Sequence, residues 1–116
     1  MKVEDIKFRG LRLDKTGREI GLLTYKPWGL CIQDEKDHSH FSSVIPETVG
    51  QFTGVKDKNG VDIYTGDKLQ RISGFYTVIW SQDNCAFMKE NSTGGILSLN
   101  NCECEVIGNI HEQGAN

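Results

Sequence analysis

The fold of this chain is decided by a glycine-containing turn between two β-prone segments, Phe52-Thr53-Gly54-Val55-Lys56-Asp57-Lys58-Asn59-Gly60-Val61-Asp62-Ile63-Tyr64. Asn59-Gly60 supplies two residues that tolerate positive φ, which the type I′ turn of a tight hairpin requires. Asp57 and Lys58 extend the polar loop before it. The stretch therefore predicts an antiparallel β-hairpin.

A second hairpin is predicted nearer the N-terminus. The apolar positions from Ile6 to Leu13 lead into Asp14-Lys15-Thr16-Gly17, and a second apolar segment runs from Ile20 to Tyr25. Gly10 and Gly21 within these strands indicate a bulge or a close backbone approach. Pro27 ends the second strand, and the sequence that follows predicts a third strand (28–32), a polar loop (34–40) and an extended segment (44–50).

Short strands are also predicted after the central hairpin. Thr65-Gly66-Asp67 is predicted to form a turn in which the Asp67 carboxyl group accepts backbone N–H groups. Strands are expected over 68–72, 75–80 and 85–89, with a strand or one helical turn over 96–99 and a closing strand over 104–110. No segment has a full amphipathic helical repeat. This pattern predicts a mainly β fold, a small barrel or roll.

Composition narrows the class of protein. The 116 residues suit one domain, 37% of them are hydrophobic, and the net charge of −3 comes from interspersed charges. The absence of a basic run argues against nucleic-acid binding without excluding it. No apolar stretch reaches the ~20 residues that span a bilayer, and the N-terminus does not resemble a signal peptide. We therefore expect a cytoplasmic protein with reduced cysteines and no membrane partner.

Three blocks of the sequence resemble the YopX family of phage and prophage proteins. They are Ile6-Lys7-Phe8-Arg9-Gly10, the segment Pro46-Glu47-Thr48-Val49-Gly50-Gln51-Phe52 continuing through Asn59-Gly60 to Thr65-Gly66-Asp67, and Glu105-Val106-Ile107-Gly108-Asn109-Ile110. Family members often place an aromatic residue shortly after the first turn, where this chain has Arg18, Glu19 and Ile20.

The resemblance implies a phage or prophage protein with an SH3-like barrel portion over 51–116, preceded by an N-terminal β segment over 1–50, together forming one compact unit. It also implies association into a homo-oligomer. It carries no catalytic residue, ligand or cofactor to this chain.

Aromatic residues provide the candidate interface. The alternation in 75–80 places Tyr76, Val78 and Trp80 on one face of a strand and Phe75, Thr77 and Ile79 on the other. One set is expected in the core, and the other is expected to be exposed or to meet a second subunit. Trp28, Tyr76 and Trp80 are the residues predicted to bind a partner or form a subunit interface.

Metal and catalytic sites are disfavoured. Cys31, His38 and His40, with Cys102 and Cys104, match no standard zinc spacing. Cys102-Glu103-Cys104 lacks the two-residue spacing of a catalytic dithiol, and Asp34, Glu35 and Asp37 lack that of a calcium loop. Nothing favours Cys85 with His38 or His111 as a nucleophile and base. We therefore expect no catalytic residue, metal or cofactor.

The function that the sequence favours is that of a non-enzymatic phage accessory protein, an interaction module that associates with itself or with another protein. The first alternative is a small barrel that binds nucleic acid through a basic face, which would be built from Lys56, Lys58, Lys68, Arg71 and Lys89. A metal-dependent enzyme is the least favoured alternative.

Overall fold

The computed structural model describes residues 2–72, 74–99 and 103–111. The chain divides into two compact units, Met1–Phe52 (unit 1) and Thr53–Asn116 (unit 2). The described residues form β-strands and two three-residue 3-10 helices, Val3–Asp5 and Pro46–Thr48. The mainly β prediction is therefore confirmed. None of the described helices has the length and apolar character that crossing a membrane requires.

Unit 1 is an antiparallel sheet in the strand order β4-β3-β2-β1-β5. Its strands are β1 (Phe8–Leu11), β2 (Arg18–Lys26), β3 (Gly29–Asp34), β4 (Phe41–Ser43) and the first residues of β5 (Gly50–Lys56). The N-terminal hairpin and the third strand are thus confirmed. In the turn between β1 and β2, Asp14 Oδ1 accepts the Thr16 N–H at 2.9 Å, and Lys15 takes the positive φ, 62°.

The two glycines in the first hairpin are sites of close approach, as predicted. A Cβ at Gly10 would lie 3.2–3.3 Å from side-chain atoms of Val49, Ile32 and Val44. A Cβ at Gly21 would lie 1.7 Å from the carbonyl oxygen of Gln33. The register of β2 on β1 and β3 is continuous at both positions, so neither glycine marks a bulge.

The segment predicted to be extended over 44–50 instead contains the 3-10 helix Pro46–Thr48. Proline does keep Ile45 extended, with ψ of 114°. The same ring suits the first position of a helical turn, where no N–H is needed. Thr48 Oγ1 then donates to the Ile45 carbonyl at 2.6 Å and accepts the Leu11 N–H at 2.9 Å, which stabilises the turn.

Unit 2 contains a five-stranded antiparallel sheet in the order β10-β9-β8-β7-β11. The rest of β5 pairs with β6 (Asp62–Tyr64), and the sheet is built from β7 (Asp67–Arg71), β8 (Gly74–Ser81), β9 (Ala86–Asn91), β10 (Ile96–Ser98) and β11 (Glu105–Asn109). Within the described residues β10 and β11 are sheet edges, so the predicted closed barrel is not formed. The SH3-like arrangement stays a prediction.

The central hairpin is confirmed, but its turn is not the predicted type I′ turn. Positive φ belongs to Gly60 (82°) and not to Asn59. The loop runs from Asp57 to Val61, and the Asp57 N–H donates to the Val61 carbonyl at 2.8 Å. The Asp57 side chain is the reason, because its Oδ1 accepts the N–H groups of Asn59 (2.8 Å) and Val61 (2.9 Å).

Asp57 also reaches β11, where its Oδ2 accepts the Val106 N–H at 2.9 Å. Burial raises the pKa of this carboxyl group, but the N–H groups of Val106, Val61 and Asn59 lower it by more, so the net pKa is below the ordinary value. The ionised form therefore stabilises unit 2 above the ordinary aspartate range. That contribution is lost as pH falls through the depressed pKa of the folded state.

We expect Asp57→Asn to lower the free energy of unfolding at pH 7 by about 2 kcal/mol, because the amide can replace only part of the acceptor capacity. The deficit should shrink as pH falls below the ordinary aspartate pKa of ~3.9, since the wild type then loses the same ionised acceptor. Urea unfolding at neutral and acidic pH measures both. Asp83→Asn, in an exposed turn, is the control. A deficit that is equal at both pH values would contradict this assignment.

The core of unit 2 lies on one side of the five-stranded sheet. Its buried residues are Ile63, Leu69, Val78, Leu99 and Cys104, and Val55, Tyr76, Phe87 and Val106 pack against them. Asp67 is fully buried at the start of β7, where its Oδ2 accepts the Tyr64 N–H at 2.8 Å. The predicted Thr65-Gly66-Asp67 turn and the role of the Asp67 carboxyl group are therefore confirmed.

Candidate functional site

The two faces of β8 are assigned by its register with β7. Leu69, which is fully buried, pairs with Tyr76, so Tyr76 lies on the core side of the sheet. Lys68 pairs with Thr77, and both lie on the opposite side. The alternation predicted for 75–80 is confirmed, and Phe75, Thr77 and Ile79 are the set that points away from the core.

This opposite side is the candidate functional site, and we call it the outer face. It comprises Lys68 and Gln70 on β7, Phe75, Thr77 and Ile79 on β8, Met88 and Glu90 on β9, Ile96 and Ser98 on β10, and Glu105 and Ile107 on β11. Phe75 is 61% exposed, Ile107 46% and Ile96 43%. The face is thus an apolar surface on which the largest side chain, Phe75, stands mostly in solvent.

Ile107 lies on this face beside an irregularity in β11. The register of β11 on β7 shifts between Val106 and Gly108, which leaves Ile107 as the extra residue. Ile107 lines a groove of about 440 Å³ with Phe75, Thr77, Lys68 and Glu90.

Two opposite charges stand in one row of the outer face. Lys68 pairs with Thr77 on one side of β8, and Glu90 pairs with Thr77 on the other. Neighbouring strands are ~4.8 Å apart, so the charges lie on either side of Thr77 at about equal distance. Within the described residues neither side chain has a hydrogen bond or an ion pair.

The three aromatic residues predicted as an interface occupy different surroundings. Tyr76 packs against the core of unit 2, with Lys89 Nζ 5.5 Å from its ring centroid. Trp80 is 51% exposed at the end of β8, edge-on to Phe87 with ring centroids 5.1 Å apart. Trp28 is 69% exposed in the turn between β2 and β3 of unit 1. The outer face itself depends on Phe75, which alternation alone could not distinguish from Tyr76.

The residues considered for a metal site do not form one cluster. Cys31 pairs with Ser43 and Ile32 with Ser42, so Cys31 and Ser42 point to opposite sides of the sheet. The His40 ring lies on the Ser42 side, with Nε2 3.0 Å from Ser42 Oγ. Residues 2–72, 74–99 and 103–111 contain no group of three or more potential metal ligands. Cys102 lies outside the described residues.

The acidic loop after β3 folds onto its own backbone. Asp34 Oδ1 accepts the N–H groups of Lys36 and Asp37, both at 2.8 Å, and Asp37 Oδ1 accepts the Ser39 N–H at 3.1 Å. A hydrogen bond with the Glu19 carboxyl group, followed by these two N–H groups, lowers the pKa of Asp34 to about 2. These carboxyl groups therefore organise the loop.

Glu19 is the centre of a polar cluster that sequence analysis did not identify. It is 2% exposed, and its Oε1 accepts from Ser42 Oγ at 2.8 Å and from Arg12 Nη2 at 3.2 Å. Acidic residues normally lie on the surface, and the burial of Glu19 is explained by its hydrogen bonds with Arg12 and Ser42, which are not beside it in the sequence. The cluster is closed to solvent at Glu19, which suits a structural role.

The basic residues considered for a nucleic-acid surface are dispersed. Lys89 is 4% exposed and donates to the Ser98 carbonyl at 2.6 Å, and Lys56 pairs with Asp62 at 2.5 Å. Lys58 and Arg71 share a groove with Glu103 and Glu105. Lys89 is therefore buried, and the other four basic residues each lie near at least one acidic residue. For Lys68 that residue is Glu90, on the same face of the sheet.

In a comparison with known protein families, residues 24–115 align with the family model described as YopX protein. The match covers most of the chain, including all strands of unit 2. No curated protein matches the chain.

Proposed function

Since the chain belongs to the YopX family, we propose that it is a non-enzymatic interaction protein that associates with a second copy of itself through the outer face of unit 2. On the resemblance of its sequence blocks, we place it among phage or prophage accessory proteins that act in the cytoplasm of the bacterial host.

The observation that carries the proposal is the exposure of Phe75 at 61% on a sheet face that also holds Ile96 and Ile107. An apolar sheet face of this kind is the usual mark of an interaction surface. Burying an aromatic side chain on association contributes more than most other contacts, and such residues are typical hot spots. A second copy is the favoured occupant because Lys68 and Glu90 stand on either side of Thr77 with opposite charges, so this row of the face can complement itself.

The size of the face sets the expected affinity. Five strands ~4.8 Å apart, with about six residues of ~3.3 Å each, give a surface of about 500 Å². Stable interfaces bury about 800 Å² on each partner, so this face lies at the small end. We therefore expect a reversible dimer with a dissociation constant in the micromolar range.

We expect Phe75→Glu to convert the dimer into a monomer, because it places a charge among the apolar residues of the face and removes the largest of their side chains. Size-exclusion chromatography with light scattering, run from low micromolar to millimolar loading concentration, measures the change. The domain should remain folded, since the Phe75 side chain is mostly in solvent and outside the core.

Val61→Glu is the matched control, because Val61 is an exposed apolar residue of unit 2 that lies in the loop between β5 and β6, outside the five-stranded sheet. This variant should dimerise as the wild type does. A wild-type protein that is monomeric at every concentration would refute the proposed function. A nucleic-acid complex with salt-dependent affinity would instead support the small-barrel alternative.

A further inference from the structure

We propose that the outer face pairs with itself about a two-fold axis that runs along β8, so that Lys68 of each copy meets Glu90 of the other. This inference rests on the proposed self-association and goes beyond it by fixing the orientation of the second copy. The charges stand at matched positions on either side of Thr77, one on β7 and one on β9.

The direction of the axis follows from the positions of Lys68, Thr77 and Glu90, which form one row across β7, β8 and β9. Two like subunits that share one surface patch are related by a two-fold rotation, so residue i meets residue j and residue j meets residue i. A two-fold axis that lies in the plane of contact, parallel to β8, places the β7 side of one copy over the β9 side of the other. Lys68 of each copy then lies over Glu90 of the other copy. A rotation about an in-plane axis across the strands leaves the sides unchanged, which would bring Lys68 over Lys68 and Glu90 over Glu90.

Strand packing is compatible with the favoured axis. Two sheets that pack face to face lie ~10 Å apart with their strands about 30° from parallel, and a Lys and a Glu side chain together can span that gap. On the same axis Phe75 faces Phe75 and Ile79 faces Ile79, so the apolar residues of β8 form the centre of the contact. The two ion pairs then lie beside the centre.

The charges are expected to select orientation more than to add affinity. An ion pair loses hydration when an interface closes over it, so its net contribution is small, whereas two like charges placed together are strongly unfavourable. The in-plane axis across the strands is therefore disfavoured, because it creates two like-charge contacts. Lys68 and Glu90 lie beside the apolar residues at the centre of the contact. Added salt should therefore reduce the difference in free energy between the two orientations of the second copy.

The test is a charge-exchange cycle with Lys68→Glu, Glu90→Lys and the double variant, using sedimentation equilibrium at low ionic strength. Each single variant should raise the dissociation constant at least about tenfold, because each places two like-charge contacts in the homodimer. The double variant should return to within about threefold of the wild type, since both pairs are restored in reverse. An equimolar mixture of the two single variants should form a heterodimer in which both pairs are also complementary.

Lys15→Glu, in the exposed turn between β1 and β2, and Asp83→Lys, in the exposed turn between β8 and β9, are the controls, since they make the same changes in net charge at positions that are not on the outer face. Both should leave the dissociation constant near the wild-type value. Single variants that dimerise like the wild type, or a double variant as weak as the single ones, would overturn the two-fold pairing while leaving self-association intact. A wild-type monomer would overturn the proposed function itself, so the two failures are distinguishable.

Discussion

Gly21→Ala is expected to unfold unit 1 or to lower its free energy of unfolding by at least ~3 kcal/mol. The added Cβ would lie 1.7 Å from the Gln33 carbonyl oxygen and 2.8 Å from the Gln33 carbonyl carbon. These are backbone atoms of β3, so relief requires β2 and β3 to separate where Gly21 pairs with Asp34. The hydrogen bond from the Glu35 N–H to the Ile20 carbonyl, at 3.0 Å, would be lost with that pairing. Thermal and urea unfolding measure the loss, and hydrogen exchange locates it if the amides of β2 and β3 lose protection.

Gly29→Ala provides the matched control for Gly21→Ala. Gly29 lies in the same unit with φ of 134°, and a Cβ there would have nothing within 4 Å. It therefore carries the conformational cost of alanine without the steric overlap, and about 1–2 kcal/mol is expected. If the two variants were equally stable, the steric account of Gly21 would be wrong.

Turn chemistry explains why the hairpins could be predicted from sequence. Asp14 to Gly17, Asp57 to Gly60 and Thr65-Gly66-Asp67 each combine a glycine with an aspartate side chain that accepts nearby backbone N–H groups, and each connects two strands in the structure. The type of the central turn could not be predicted, because it depends on Asp57, whose carboxyl group also reaches β11. A contact with a residue so distant in sequence cannot be inferred from local propensity.

The candidate site was predictable only in part. Alternation in 75–80 separates two faces, but it contains no information on which face meets the core, since both carry aromatic and β-branched residues. Pairing of Tyr76 with the buried Leu69 settles the choice in the structure. Alternation along β11 places Ile107 on the side of Glu105, but the register shift that leaves Ile107 as an extra residue beside Gly108 could not be predicted from the sequence.

Asp67→Ala is expected to lower the free energy of unfolding of unit 2 by about 3–5 kcal/mol, a large part of the total stability of an ordinary domain. Asp67 is fully buried, and its two oxygens accept the Tyr64 N–H at 2.8 Å and Asn109 Nδ2 at 3.1 Å. Alanine removes an acceptor from two buried donors and leaves a cavity in their place. Urea unfolding followed through Trp80, in a Trp28→Phe background, reports on unit 2.

A charge-exchange variant separates the hydrogen bonds of Asp67 from its volume. Asp67→Asn should itself cost about 1–2 kcal/mol, because its NH₂ group would face Asn109 Nδ2 as a second donor. Asn109 cannot turn its amide to compensate, since its Oδ1 accepts the His111 N–H at 2.9 Å. Adding Asn109→Asp restores a donor opposite an acceptor, so the double variant should recover much of the stability that Asp67→Asn loses. A double variant no more stable than Asp67→Asn would show that these hydrogen bonds do not explain the burial of Asp67. Recovery would mean that the central and C-terminal blocks of the family resemblance are joined by a folding contact, which leaves the outer face as the surface on which function is to be sought.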